Sequence, residues 1–180
     1  DANGTFTVTG DGGSSNNGSG GALSGMTGSN MTAGGLEVAG NGAYLRNVAG
    51  VSFGRMNITG NQNNGVFAQD VTGLSLERCT IDQNGNDAVA PMVEGGLRFT
   101  RLGGTNSISE SVISNSGGDN VFGAPASGSF VLEFTGGTVG PASGGSGIHV
   151  VGGGTAQMTL NVTNTTLTDH YVDGVQTTFG

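Results

Sequence analysis

The sequence predicts an all-β protein folded as a parallel β-helix, and two observations lead to this prediction. The stretch GAYLRNVAGVSFGRMNITGN, residues 42–61, reappears shortly afterwards as GVFAQDVTGLSLERCTIDQN, residues 65–84, with apolar residues at matching positions. Glycine contributes 38 of the 180 residues, about a fifth, whereas its usual share is roughly 7%. Internal repetition at such a period is typical of solenoids, in which each repeat forms one coil.

A pair of apolar residues five positions apart marks each coil. The members of these pairs are Phe53/Ile58, Leu76/Ile81, Ile108/Ile113, Phe134/Val139 and Val162/Leu167, and we also assign Met26/Met31 to the series. The steps between the first members are unequal: the shortest runs from Phe53 to Leu76 and the longest from Leu76 to Ile108. We therefore expect turns of variable length around a constant core, with the first members stacked in one column and the second members in another.

The segments between the glycines favour strands over helices, because Val, Thr, Ile and Phe are strand formers while Gly and Asn disfavour helices. A short strand of this kind is stable when it pairs with an equivalent strand about 4.8 Å away in the next coil. Gly and Asn suit the corners, where φ is positive. We predict a short ladder of side-chain amides at Asn61 and Asn84. The chain then forms one domain, 1–180, with six to seven coils stacked over 22–180 and an irregular or N-terminal strand segment over 1–21.

The repeat GVFAQDVTGLSLERCTIDQNGN resembles the right-handed parallel β-helix repeat of pectate-lyase-like proteins. It is most similar to the non-enzymatic repeat arrays of large bacterial secreted and surface proteins, and SISESVISNSGGDN and GTAQMTLNVTNTTLTD have the same character. The resemblance implies a right-handed solenoid and an extracellular or cell-surface location. It covers residues 22–180 and specifies fold more closely than function.

Composition argues against several classes of partner. The net charge is -8, with five Arg and no Lys, so the chain lacks the basic stripe that a nucleic-acid-binding protein needs. No apolar run approaches the length of a membrane-spanning helix, which is roughly 18 residues or more. Cys79 is the single cysteine and has no intrachain partner for a disulfide. We therefore expect neither nucleic acid nor a membrane as a partner.

The carboxylates give no paired acid and base, so we assign no catalytic, cofactor-binding or metal-ligating residue. No two acidic residues are adjacent, and polysaccharide hydrolysis needs a convergent pair with one carboxyl group kept protonated. The repeat alignment stacks Asp70 between Asn47 and Arg101, and Asp82 between Thr59 and Ser114.

Four other features have a functional and an ordinary interpretation. Arg55 and Arg78 share a column with Glu110 in the next coil, which suits either a notch for a sugar carboxylate or a weak ion pair, and we favour the ion pair. DQNGND, Asp82–Asp87, resembles half of a calcium loop but lacks the downstream bidentate Glu. His149 and His170 have no Cys or His partner at metal spacing, so we expect each to be packed or solvated. The Asn-x-Ser/Thr sequons matter only in a glycosylating host.

We expect a structural or adhesive module of an extracellular fibre, a sheath or a long surface protein, not an enzyme and without a cofactor. The alternative is a β-helix that binds or degrades a polysaccharide. We also expect head-to-tail self-association. Were Gly180 followed by Asp1 of another copy, Val8 would follow Val162 at the same interval that separates Phe134 from Ile108, an ordinary coil step. Gly13 is the weak point, because it falls where the second apolar residue of that coil is expected.

Overall fold

The computed structural model describes residues 5–30, 38–86 and 94–180 of this chain. Its strands wind into a parallel β-solenoid with three faces per coil, and no helix occurs in the described ranges. Faces A and B belong to one nine-stranded sheet that bends at a corner, and face C is a separate six-stranded sheet. The predicted all-β solenoid is therefore confirmed.

The strands repeat in the order A, B, C along the chain. Three long strands cross the corner and serve both face A and face B: β3 (Ala43–Gly54), β5 (Val66–Glu77) and β7 (Leu97–Ser109). Face A also contains β9 (Val121–Gly123), β12 (Ile148–Gly152) and β15 (Val175–Phe179), and face B contains β1 (Phe6–Val8), β10 (Ser129–Thr135) and β13 (Gln157–Thr163). Face C contains β2 (Gly21–Ser24), β4 (Met56–Thr59), β6 (Thr80–Asp82), β8 (Val112–Ser114), β11 (Thr138–Val139) and β14 (Thr166–Leu167).

The predicted core pairs form two continuous columns, as expected. On face B, direct register partners join Phe53, Leu76, Ile108, Phe134 and Val162 in sequence. On face C, register partners likewise join Ile58, Ile81, Ile113, Val139 and Leu167. Leu76 and Ile81 are fully buried at the middle of these columns. The constant spacing of five positions reflects the single corner between the two members of each pair.

The first coil corrects one assignment. Val8 lies opposite Phe53 and Leu23 lies opposite Ile58, so Val8 and Leu23 extend the two columns by one coil. Met26 is 40% exposed and lies outside both columns, while Met31 is outside the described residues. The prediction failed because Val8 and Leu23, the true pair of this coil, are much farther apart in sequence than the usual five positions. The intervening residues 9–20, here called the strap, leave the coil between β1 and β2.

The structure contains about five turns, slightly fewer than the six to seven predicted. Five coils have all three faces. A partial coil precedes them, with β1 on face B and β2 on face C, and a single strand, β15 on face A, follows them. Strand β1 also shows that residues 6–8, predicted as part of an irregular or strand segment, pair within the solenoid.

Asparagine ladders close the corner between faces C and A. In the predicted ladder, Asn61 Nδ2 donates to Asn84 Oδ1 over 2.8 Å, and both residues are buried. A second ladder was not predicted: Asn64 Nδ2 donates to Asn41 Oδ1 over 2.9 Å. These amides satisfy one another and the neighbouring backbone inside the corner, where an unpaired polar group would cost about 1–3 kcal/mol.

Candidate functional site

The outer surface of face A carries a column of large side chains that point away from the core. Its members are register partners in consecutive coils: Tyr44, Phe67, Arg98, Phe122, His149 and Gln176. We call this set the outer column. Phe67 is fully buried although it lies outside the main core, and it packs with Tyr44 and Phe122 in a separate small cluster. The outer column thus forms a second layer of packing beside the solenoid.

Arg98 occupies the centre of the outer column. Its guanidinium lies 5.2 Å from the centroid of the Phe67 ring and 5.6 Å from that of Phe122, which are cation–π distances. Burial lowers the pKa of Arg98 to about 10, and the charge of Glu94 opposes this effect. The guanidinium therefore remains charged at neutral pH and joins the two aromatic side chains.

His149 forms the most defined polar arrangement in the column. Its Nδ1 lies 2.9 Å from Oδ2 of Asp119, a carboxylate with only 2% of its side chain exposed. The other oxygen of Asp119 accepts a hydrogen bond from the Ser146 backbone N–H over 2.6 Å. In the neutral imidazole a proton on Nδ1 leaves Nε2 as an acceptor. A fixed, partly exposed imidazole of this kind can accept a hydrogen bond from a donor group of a ligand.

Sequence reasoning predicted a packed or solvated role for His149 and did not connect it to Asp119. The packing is present, since the imidazole lies edge-to-face against Phe122 with ring centroids 5.4 Å apart. The carboxylate partner lies one coil earlier in the chain. No spacing rule links them, because Asp119 belongs to a turn of variable length in the preceding coil.

His170 is packed in a different way. Its imidazole packs against Gly140 and Gly147. A Cβ atom added at Gly140 would lie 2.9 Å from the ring, and one added at Gly147 would lie 2.5 Å from it. Both ring nitrogens are shielded from solvent without a protein hydrogen-bond partner. Burial lowers the pKa of His170, and Asp169 partly offsets this. The side chain is consequently held in its neutral form.

The Arg55, Arg78 and Glu110 column lies at the corner between faces B and C. Arg78 Nη2 is 2.5 Å from Glu110 Oε2, so the favoured ion pair is present. The arginines have a further role that the sequence did not reveal: they hold the strap. Arg55 donates to the Gly13 carbonyl oxygen over 2.7 Å, and Arg78 to that of Ser14 over 3.2 Å. These contacts leave no basic notch at Arg55, which is buried.

The other two aligned carboxylates, Asp82 and Asp70, also pair with residues of neighbouring coils. Asp82 is stacked between Thr59 and Ser114 as predicted. Asn47 and Asp70 hold equivalent positions in β3 and β5, as predicted, each between the register pairs Arg46–Gln69 and Val48–Val71. Arg101 lies opposite Gln69, one position from the prediction. A register shift in the β5–β7 ladder causes this difference, and Arg101 still donates to Asp70 over 2.5 Å.

In the segment that resembles half of a calcium loop, two side-chain oxygens are occupied by protein donors. Oδ1 of Asp82 accepts hydrogen bonds from Ser114 Oγ and Asn115 Nδ2, both over 2.7 Å. Oδ1 of Asn84 accepts from Asn61 in the buried ladder. Asp87 lies outside the described residues. Within the described residues, no three His, Cys, Asp or Glu side chains are grouped as metal ligands.

Comparison with protein-family models, curated proteins and solved structures found no match for this chain. The fold and geometry therefore define a class, a parallel β-solenoid with a second packing layer on face A. Among the described residues no helix is long and apolar enough to cross a membrane.

Proposed function

We propose that this chain is a structural or adhesive β-solenoid module of an extracellular fibre, a sheath or a long bacterial surface protein, in which modules follow one another head to tail. The observation that carries the proposal is the continuity of the two core columns, from Val8 and Leu23 to Val162 and Leu167. A wall of like coils resists extension along its axis, because every coil is paired by backbone hydrogen bonds to the next.

The polar groups support the same function. Carboxylates and arginines pair between adjacent coils, as in Arg78–Glu110 and Arg101–Asp70. The amide ladders at Asn61–Asn84 and Asn41–Asn64 join coils in the same way. We propose a right-handed coil because the repeats resemble those of pectate-lyase-like proteins. We propose an extracellular location because they also resemble the repeat arrays of bacterial surface proteins.

Catalytic assays test this proposal directly. We expect no release of reducing or unsaturated ends when the protein is incubated with pectate or alginate, with and without Ca²⁺. Steady product formation that is abolished in His149→Ala, but retained in the control Asp70→Asn, would overturn the structural function. An antibody against the purified chain should label intact source cells without permeabilisation, and labelling only after permeabilisation would contradict the surface location.

The outer column favours one alternative, a module that binds a polysaccharide. The partly exposed rings of Tyr44 and Phe122 and the imidazole fixed by Asp119 are groups that contact sugars through stacking and hydrogen bonds. Affinity electrophoresis through gels containing single polysaccharides distinguishes the two functions. Retardation that is lost in Phe122→Ala, and not in Tyr171→Ala, whose side chain is 74% exposed outside the outer column, would support binding at the outer column.

A further inference from the structure

The two ends of the solenoid are stepped in opposite directions. At one end face A extends one strand, β15, beyond β13 on face B and β14 on face C. At the other end, within the described residues, β1 on face B and β2 on face C extend one strand beyond β3, the first strand described on face A. One end therefore holds one third of a coil, and the other holds the remaining two thirds.

From this geometry we propose that a second copy of this chain docks on the β13–β14–β15 end with its β1, β2 and β3. The inference rests on the proposed structural function and adds a specific junction to it. Face A would continue from β15 to β3, face B from β13 to β1, and face C from β14 to β2. Together the two partial coils complete one coil of three faces.

The columns of the single chain fix the side-chain register of this junction. Val162, which ends the face B column, meets Val8 of the second copy, which begins the same column. Leu167 likewise meets Leu23. On face A, Val175 ends the column of register partners that begins at Ala43 and so meets that residue.

Burial at the ends agrees with this register. Val162 is 39% exposed and Val175 is 42% exposed, although their register partners Phe134 and Ile148 are buried. Phe6 on β1 is 51% exposed. Stacking a second copy would bury these apolar groups and pair the free backbone groups of the edge strands, which otherwise form a template for association. A heterologous contact that does not close on itself generates a filament.

The strap leaves the docking edges clear. It begins after β1 and runs along the corner between faces B and C towards later coils. Asn16 Nδ2 donates to the Glu110 carbonyl oxygen over 2.9 Å, after Arg55 and Arg78 have bound Gly13 and Ser14. The strap thus crosses the first three full coils on the outside. It also accounts for Gly13, which is part of the strap, while Leu23 supplies the second apolar residue that the junction needs.

The junction would also lengthen the solenoid. The five full coils extend about 25 Å along the axis at about 4.8 Å each. Copies in series would extend the solenoid by about six coils each, because the completed junction coil is added to the five full ones.

Two single variants test the junction. We expect the unmodified chain to form linear oligomers that grow with concentration in sedimentation velocity. Val162→Asp blocks one end and Val8→Asp blocks the other, so each variant alone should remain monomeric. An equimolar mixture should form dimers and nothing larger, because only the unmodified end of each variant can join. Val151→Asp is the control: Val151 is 41% exposed on β12, which is paired on both sides, so this variant should assemble like the unmodified chain.

Circular dichroism shows whether each variant is folded, and Val175→Asp or Leu23→Asp replaces a variant that is not. The junction is wrong if the unmodified chain stays monomeric at high concentration, if the blocked variants assemble normally, or if their mixture does not dimerise. These outcomes overturn head-to-tail docking of this chain but leave its structural or adhesive role on the cell surface standing, because that role is tested by catalysis and cell-surface labelling. Product release from pectate or alginate would, conversely, leave the junction standing.

Discussion

Replacing Leu132 by Ala tests the stacked core most directly. Leu132 is fully buried on face B and lies opposite Leu160 in the next coil. Ala removes three carbon atoms from the core, which costs about 2.4 kcal/mol at roughly 0.8 kcal/mol for each buried CH₂. Stacked neighbours paired by the sheet cannot easily move into the space, so the cavity raises the expected cost to about 3–4 kcal/mol.

Leu160 provides a matched control in the same column. It is only partly buried, because the described residues place no further strand beyond β13. We expect Leu160→Ala to cost about 1–2 kcal/mol, since a smaller part of its side chain leaves water on folding. The free energy of unfolding would be measured by urea denaturation followed by far-ultraviolet circular dichroism. Hydrogen exchange would show whether the coils adjacent to each site open separately.

The stacking of Leu132 would be refuted if Leu132→Ala lowered the free energy of unfolding by no more than Leu160→Ala does. If Leu132→Ala cost less than about 1 kcal/mol, or no more than Leu160→Ala, Leu132 would not lie in a closed core. The slope of the free energy against urea concentration should stay the same in both variants, because the surface exposed on unfolding changes little.

Three further predictions concern polar groups. Burial lowers the pKa of His170 from its usual 6.5, so the unfolded chain binds more protons and stability should fall as the pH drops below about 6.5. His170→Gln should flatten the stability profile between about pH 7 and 5.5, and an unchanged slope would show that His170 is not responsible. Asn84→Ala should cost about 1–3 kcal/mol by leaving ladder groups unpaired, and a thermal transition equal to that of the unmodified chain would exclude a structural ladder. Arg101→Ala removes an exposed pair with Asp70 and should cost less than about 1 kcal/mol, with a larger loss pointing to a further contact.

The register of the central coils could be predicted from the sequence because the two apolar residues that define each coil lie close together in the chain. Phe53 and Ile58, like Leu76 and Ile81, are separated by one corner of fixed length, so the same spacing recurs in every regular coil. Side chains on a strand alternate between core and solvent, and a shift of one residue would therefore expose the whole column. The apolar pattern alone was sufficient to select the register.

Prediction failed where the contact depends on segments of variable length. Val8 and Leu23 form an ordinary pair in space, but the strap separates them in sequence. Asp119 and His149 meet because the turn that precedes β9 places Asp119 beside strand β12 of the next coil, which carries His149. In such places the backbone path decides the contact, and an apolar repeat carries no information about it.

The strap also explains an otherwise unfavourable choice of residues at the corner between faces B and C. Five equivalent positions there have positive φ, and they are Arg55, Arg78, Glu110, Gly136 and Asn164. Gly and Asn adopt this conformation readily, whereas Arg and Glu do so at a cost of roughly 1 kcal/mol or more each. The three charged residues are those in contact with the strap, through guanidinium groups at Arg55 and Arg78 and through the carbonyl oxygen at Glu110. The coils beyond the strap have Gly and Asn instead. We infer that contact with the strap offsets the backbone cost in the first three full coils, and that the strap and this corner stabilise each other.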